Sequence, residues 1–339
     1  MADGVFVLGM HRSGTSAATR LLTFLGLHAP GEADLVGPSQ KNPTGYWESL
    51  SLVAFSNRVL AAVGSDESCP LALPPGWELD ARLDDLRREA PSAVHDTFPD
   101  GPWVWKDPRH CLTFPFWTAA LAQRPVVVLV HRNPLEIVAS ALRLRPDEGK
   151  IYALALWERY VREALRHVEG LPVLVTRYEG LVAEPLAWCA RARAFLAAAG
   201  LDVHDASQSE VDAFVDPALR HVARPEHEVH EDPDVSSAQR ALVLALVDLV
   251  GGHERFEPPA LPPETPATEA LLAERRRSLQ VRDELERLVE RERRSRWGVR
   301  LRRSRALTPV RALYLRARRR GSAGRPSESP AEGGGAAAS

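Results

Sequence analysis

Residues 5–25 read VFVLGMHRSGTSAATRLLTFL and decide the fold class of the chain. The first four are apolar, which predicts a short buried strand, and residues 17–25 place apolar side chains at helical spacing. Between them, Gly9 to Ser16 form a glycine-bounded loop. A loop that leads from a strand into a helix presents unpaired N–H groups to an anion, and the helix dipole favours negative charge there. The stretch predicts a phosphate-binding loop, with a glycine turn before an ordinary helix as the alternative.

The spacing of this loop, Gly9-x-x-x-x-Gly14-x-Ser16, matches the nucleotide-binding P-loop except at one position. Thr15 stands where ATP- and GTP-binding loops carry the lysine that reaches the β- and γ-phosphates. The positive charge is instead on Arg12, whose forked guanidinium suits a phosphate or a transferring sulfuryl group.

Length and charge limit what the rest of the chain can be. The 339 residues have room for one α/β domain of about 250 residues with an appendage, or for two domains. Residues 265–339 carry 19 arginines and 9 acidic residues, whereas residues 1–264 carry 24 basic and 36 acidic residues. A phosphate site in this acidic body therefore has to be built from a few well-placed cations.

Cysteine spacing and hydropathy exclude several other classes. The three cysteines are widely separated and include no C-x-x-C pair, which argues against a disulfide framework and against a zinc site. No apolar run approaches the roughly 18 residues that a membrane span needs, and no secretion signal precedes the first strand. We expect a cytoplasmic protein.

A second charged group follows the predicted strand at residues 103–106. Lys106, Asp107 and Arg109 surround a proline, which ends the strand. Ligands of open α/β sheets gather at the carboxyl ends of strands, so these side chains are candidates for a site. A solvated Lys106–Asp107 pair is the alternative.

A candidate general base is Glu48, which follows Tyr46 and Trp47 in a loop segment. Two aromatic neighbours would shield its carboxylate from water, as suits a base that takes a proton from an acceptor. The alternative is that Glu48 caps the helix predicted over residues 50–63.

The run VVVLVHRNPLEIVAS, residues 126–140, predicts a second strand-to-helix junction. Its β-branched start is typical of a strand covered on both faces, as in a parallel sheet. Asn133 is a good N-cap, Pro134 fits the first helical position, and Glu136 has the spacing of a capping box. Arg132 at the junction and Ser140 two turns along the helix can face one ligand.

Strands and helices alternate to about residue 250, which predicts an α/β fold with a P-loop-type parallel sheet flanked by helices. We divide the chain into a catalytic body (1–257), a proline-rich linker (258–267), a basic helical extension (268–320) and a disordered tail (321–339). Residues 297–320 contain nine arginines and no acidic residue, interleaved with apolar side chains. This pattern suits an anionic membrane surface better than nucleic acid; a solvated helix or no fixed structure is the alternative.

These motifs together resemble the sulfotransferases that use 3′-phosphoadenosine 5′-phosphosulfate (PAPS). The resemblance covers about residues 5–225 and includes the segments GYWE (45–48), KDPR (106–109) and RYE (177–179). It implies that the 5′-phosphate is held by Arg12, Ser13, Gly14, Thr15 and Ser16, and the 3′-phosphate by Arg132 and Ser140. Two features depart from the cytosolic small-molecule enzymes: they usually carry lysine at the position of Arg12, and their C-terminal nucleotide motif has no match here.

The implied reaction is in-line transfer to a hydroxyl or amine of a glycan, lipid or small metabolite. Arg12 and Lys106 would stabilise the charge on the leaving group, and Glu48 would be the base, with His11 and His110 in reserve. No metal is required if these cations suffice. Two other interpretations stay open: a P-loop phosphotransferase or kinase, for which Asp107 would hold magnesium, and a non-catalytic binding protein on the same fold.

Overall fold

The computed structural model describes residues 4–37, 45–122, 125–214 and 224–294. In these residues one sheet has the strand order β2-β1-β3-β4-β5. The strands are β1 (Gly4–Leu8), β2 (Trp103–Lys106), β3 (Val126–His131), β4 (Val173–Arg177) and β5 (Gly251–His253). The first four are parallel, as predicted, and β5 pairs antiparallel with β4. β5 was not predicted, because its Gly-Gly-His sequence has no strand preference.

Helices cover both faces of the sheet. They are α1 (Thr15–Thr23), α2 (Leu50–Ala62), α3 (Asp84–Thr97), α4 (His110–Leu121), α5 (Pro134–Leu144), α6 (Lys150–His167), α7 (Tyr178–Ala183), α8 (Pro185–Ala198), α9 (Gln208–Phe214), α10 (His227–Glu231), α11 (Ser237–Asp248) and α12 (Pro266–Arg294). No helix among the described residues is long and apolar enough to cross a membrane.

Strand residues alternate between two hydrophobic cores, one on each face. Val5 and Val7 of β1 pack with α1, α7, α8 and α9, whereas Phe6 and Leu8 pack with α2 to α6, α11 and the start of α12. Both cores are fully buried at these strand positions. Burial on both faces explains why the strands read as continuous apolar runs, and it fixes the carboxyl edge at which β1, β2 and β3 end.

The chain just before α3 forms short turns and not a continuous helix. Two short 3-10 turns, Trp77–Leu79 and Ala81–Leu83, precede α3. The Asp80 side chain accepts a hydrogen bond from the Arg82 amide at 2.9 Å and caps the second turn, which interrupts a continuous helix.

The compact body extends beyond the predicted boundary. The chain forms two compact units, of which the first runs from Met1 to Arg276. This unit includes residues 258–267, for which the proline content predicted a linker. The Thr265 amide donates to Glu158 at 3.0 Å, an interaction within this unit. The second unit, Arg277–Ser339, contains the remainder of α12. The arginine-rich segment 297–320 and the tail 321–339 lie outside the described residues.

Candidate functional site

The predicted phosphate loop joins β1 to α1 at the carboxyl edge of the sheet. Gly9 and Gly14 have φ of +149° and +98°, values that residues with a side chain rarely adopt. A Cβ on Gly9 would also lie 2.5 Å from the Val130 carbonyl oxygen. Arg12 also has a positive φ, of 71°. The Ser13 hydroxyl is buried and has no hydrogen-bond partner among the described residues. The loop is therefore a close-fitting turn with an unsatisfied polar group.

The two predicted phosphate motifs meet at one place. Arg12 Nε donates to Ser140 Oγ at 2.9 Å, although the two residues are 128 positions apart. Arg132 Nη1 lies 3.4 Å from the Arg12 carbonyl oxygen, to which it donates. The side chain of Asn133 accepts from the Leu135 amide and caps α5, as predicted, so the helix that carries Ser140 starts beside the loop.

Arg132 is held by two neighbours in a nearly buried position. Its Cζ lies 4.4 Å from the centre of the Tyr178 ring, and its Nε donates to Glu136 at 2.6 Å. Glu136 also accepts from the Arg224 amide, so the carboxylate that we expected in a capping box supports Arg132 instead. The Tyr178 ring packs on the loop as well, since a Cβ on Gly14 would lie 2.1 Å from it.

The positive charge at this junction is concentrated. Loss of water lowers the pKa of Arg12, and the positive charges of Arg132 and Arg143 act in the same direction. A guanidinium stays charged in proteins despite such a shift, so the arrangement favours an anion. Arg143, one turn after Ser140 on α5, was missed by the sequence analysis because no motif marks it.

A second part of the site lies at the end of β2. Lys106 Nζ forms an ion pair with Glu48 and donates to the Tyr46 carbonyl at 3.0 Å. The side chains of Lys106 and Glu48 are only 3% and 12% exposed. The N-cap of α2 is Ser49, whose hydroxyl accepts from the Leu52 amide, so Glu48 does not have the capping role. Its carboxylate points to the strand end.

The segment that carries Glu48 is attached to α1. Ser16 Oγ donates to the Tyr46 carbonyl at 3.1 Å. The Arg20 guanidinium lies 4.9 Å from the centre of the Trp47 ring. These contacts bring the predicted base and the phosphate loop to the same edge of the sheet.

Arg109 connects three carboxylates next to this pair. It binds Asp107 at 2.9 Å and Glu67 at 2.5 Å, and its Nη1 lies 4.0 Å from Glu48 Oε2. Asp107 is fully buried and Lys106 has Glu48 as its partner. The solvated Lys106–Asp107 pair is therefore not what the structure contains.

Glu67 is a site residue that the sequence analysis missed, since it lies in a loop without a recognisable motif. Its Oε2 lies 3.7 Å from His11 Nε2. Loss of water raises the pKa of Glu67, although Arg109 opposes this effect. Loss of water and the charges of Arg109 and Lys106 lower the pKa of His11. The imidazole of His11 is therefore neutral at pH 7.

His110 is a core residue. It is fully buried, with its ring 5.1 Å from Phe6 and 4.5 Å from Trp105, centre to centre. Burial lowers its pKa well below the ordinary value. Because the ring packs among aromatic side chains, His110 is a poor candidate for a base that an acceptor must reach.

The residues fit a ligand with two phosphate groups. The unpaired Ser13 hydroxyl, the close approach permitted at Gly9 and the first amides of α1 suit one phosphate. Arg132 and Ser140 suit a second one nearby, because Arg12 contacts both residues. In the described part of the chain, no group of three or more His, Cys, Asp or Glu side chains has the arrangement of a metal site.

Two solved structures are similar to this chain. The sulfotransferase domain of the Synechococcus PCC 7002 olefin synthase is 17% identical, covers 80% of this chain and 94% of its own, and gives a TM-score of 0.37. The sulfotransferase domain from the curacin biosynthetic pathway is 16% identical, covers 81% of this chain and 97% of its own, and gives a TM-score of 0.39. No curated protein matches the sequence.

A family comparison covers more than half of the chain. The sequence model of the sulfotransferase family matches residues 4–205. This range contains the loop between β1 and α1, the Glu48 segment, the ends of β2 and β3, and Ser140. Since the match includes the residues that form the site described above, the chain belongs to the sulfotransferase family.

Proposed function

We propose that the protein uses PAPS as donor and transfers the sulfuryl group to a hydroxyl or amine of its acceptor. The observation that carries this proposal is the hydrogen bond of 2.9 Å between Arg12 and Ser140. It joins a 5′-phosphate loop to a 3′-phosphate motif, and a donor with phosphates at both positions needs both. The buried, unpaired Ser13 hydroxyl adds support, since a bound phosphate would satisfy it.

The phosphate groups would be held by residues of the two junctions. The 5′-phosphate would lie on the loop, held by Arg12, Ser13, Gly14, Thr15 and Ser16. The 3′-phosphate would lie at the start of α5, held by Arg132 and Ser140. When bound, PAPS supplies an activated sulfuryl group. Arg12 would stabilise the charge that develops on the departing phosphate, and Lys106 adds a second cation on the same edge.

Glu48 would accept the proton of the attacking hydroxyl or amine. Lys106 fixes the position of its carboxylate, and Arg109 lies within 4.0 Å. General-base assistance of this kind contributes about 10²- to 10⁴-fold to a rate. His11 is the second candidate, because its neutral ring lies near the same charged group.

The acceptor is proposed to be a glycan, lipid or small metabolite. We also propose that the protein works in the cytoplasm without a bound metal and without a nucleic-acid partner. The arginine-rich segment 297–320 would attach it to the anionic inner face of the membrane, because arginines alternate there with apolar residues. Vesicle binding with and without anionic lipid tests this last point.

The reaction is tested by incubating the protein with ³⁵S-labelled PAPS and fractions of glycans, lipids and small metabolites in buffer with EDTA. We expect label on one acceptor class and release of the bisphosphate. Glu48→Gln is the control, in which label transfer falls while the bisphosphate still binds. Label from ATP with magnesium, and none from PAPS, would favour the phosphotransferase alternative.

A further inference from the structure

Four consecutive backbone carbonyls in the loop after α2 accept hydrogen bonds from side chains of α6 and α12. Tyr160 donates to the Glu67 carbonyl at 2.7 Å and Tyr152 donates to the Ser68 carbonyl. Arg276 donates to the Cys69 carbonyl and Arg159 to the Pro70 carbonyl, both at 2.9 Å. An irregular loop ordinarily leaves such carbonyls to water. These contacts hold residues 67–70 in one conformation.

The C-terminal part of the body holds one of these donors in place. The Arg159 side chain is 2% exposed and donates to Glu264 and Glu269 at 2.8 Å. The neighbouring Glu158 is fully buried and accepts from the Thr265 amide and the Thr268 hydroxyl. Residues 258–276 are thus joined to α6 by buried charged and polar groups.

The loop carries Glu67 into the site. Glu67 binds Arg109 at 2.5 Å and lies 3.7 Å from His11. Arg109 in turn lies 4.0 Å from Glu48, the proposed base. A displacement of the loop would remove a carboxylate from Arg109 and change the charge next to Glu48.

We propose that residues 258–276 help to form the active site, although they do not contact substrate. Together with α6 they hold the loop of residues 67–70 in place, so that Glu67 keeps Arg109 beside Glu48. Glu67 and Arg276 are positioning residues in this arrangement. Residues 258–276 lie outside the range that the family comparison matches, 4–205. The kinetic part of the inference rests on the proposed function, whereas the structural part does not.

The structural part is tested by hydrogen–deuterium exchange of the full chain without ligand. Arg276→Ala removes one charge-assisted hydrogen bond, so the amides of residues 66–69 and of Leu71 should exchange about tenfold faster. Arg277→Ala is the matched control, since Arg277 is the next residue and is exposed; it should leave exchange in the loop unchanged. Unchanged exchange in Arg276→Ala overturns the inference, provided that a thermal melt shows both variants folded.

The kinetic part is tested by a double-mutant cycle on PAPS turnover, measured as bisphosphate released. Glu67→Gln and Arg276→Ala should each lower kcat by about tenfold or more and leave the bisphosphate Kd unchanged. The double variant should be no slower than Glu67→Gln, because Arg276 acts through Glu67. The inference is overturned if the fold-loss in kcat of the double variant equals the product of the two single losses. It is also overturned if Glu67→Gln has wild-type kcat. A wild-type protein that consumes no PAPS refutes the proposed function, and the exchange measurement then decides the structural part.

Discussion

Replacing Arg132 with Ala should weaken binding of the 3′-phosphate of the ligand much more than binding of its 5′-phosphate. The guanidinium is 10% exposed, lies over Tyr178 and binds Glu136, so it is fixed before any ligand arrives. A hydrogen bond from a charged group to a phosphate contributes about 1.5–3 kcal/mol. We therefore expect the Kd for 3′,5′-bisphosphoadenosine to rise about 10- to 100-fold. The Kd for 5′-AMP, which has no 3′-phosphate, should change little.

The same substitution should also lower stability. The contact with the Tyr178 ring contributes about 0.5–2 kcal/mol, and the buried Glu136 loses its ion pair with Arg132. Arg132→Ala combined with Glu136→Gln should recover part of the lost stability without recovering bisphosphate affinity. Comparing the single and double variants distinguishes weak binding from partial unfolding.

Isothermal titration calorimetry with both nucleotides at one ionic strength is the assay. Arg191→Ala, at an exposed arginine of α8, is the matched control and should bind both ligands as the wild type does. An equal loss for the bisphosphate and for 5′-AMP would refute the reasoning, because it would put Arg132 at a group that the two ligands share. No loss for either would remove Arg132 from the site.

Three further changes have defined outcomes. Glu48→Gln should lower kcat for sulfuryl transfer by about 10²- to 10⁴-fold with bisphosphate affinity nearly unchanged in calorimetry; wild-type turnover would exclude Glu48 as the base. Gly14→Ala should destabilise the fold and weaken bisphosphate binding, because the position has φ of +98° and the new Cβ would lie 2.1 Å from Tyr178, whereas Gly180→Ala, with open space around it, should be tolerated in the same melts. Burial lowers the pKa of His131 to about 3, below the ordinary value of 6.5, so the unfolded chain binds a proton between these pH values and the folded one does not. Stability should therefore fall as the pH drops from 6.5 towards 3, and urea melts of His131→Leu should show a smaller fall.

The turn between β1 and α1 and the start of α5 after Arg132 were predictable as local structure, because each depends on residues that are close in sequence. Gly9 to Ser16 and the Asn133-Pro134 start of α5 show local backbone signals that tertiary packing did not override. Their meeting at Arg12 and Ser140 was expected only from the order of the motifs and the family resemblance.

Other features depend on contacts between distant residues and leave no local signal. Glu67 lies in a loop whose course is set by α6 and α12, so its place beside Arg109 follows from contacts with Tyr160 and Arg276. Glu136 has the spacing of a capping box, but the nearby guanidinium of Arg132 competes for its carboxylate. The proline-rich segment resembles a linker in sequence. Its buried partners, such as Glu158, lie about 100 residues earlier, so no local pattern shows that it packs against the body.

The most direct test of the central claim is thermal stability of the full chain with 3′,5′-bisphosphoadenosine in EDTA, compared with ATP plus magnesium at matched concentration and ionic strength. A ligand at 100 times its Kd adds about 2.7 kcal/mol, which raises the melting temperature by several degrees. We predict stabilisation by the bisphosphate without metal, and less by 5′-AMP. Stabilisation by ATP with magnesium alone would contradict the account and favour a phosphotransferase.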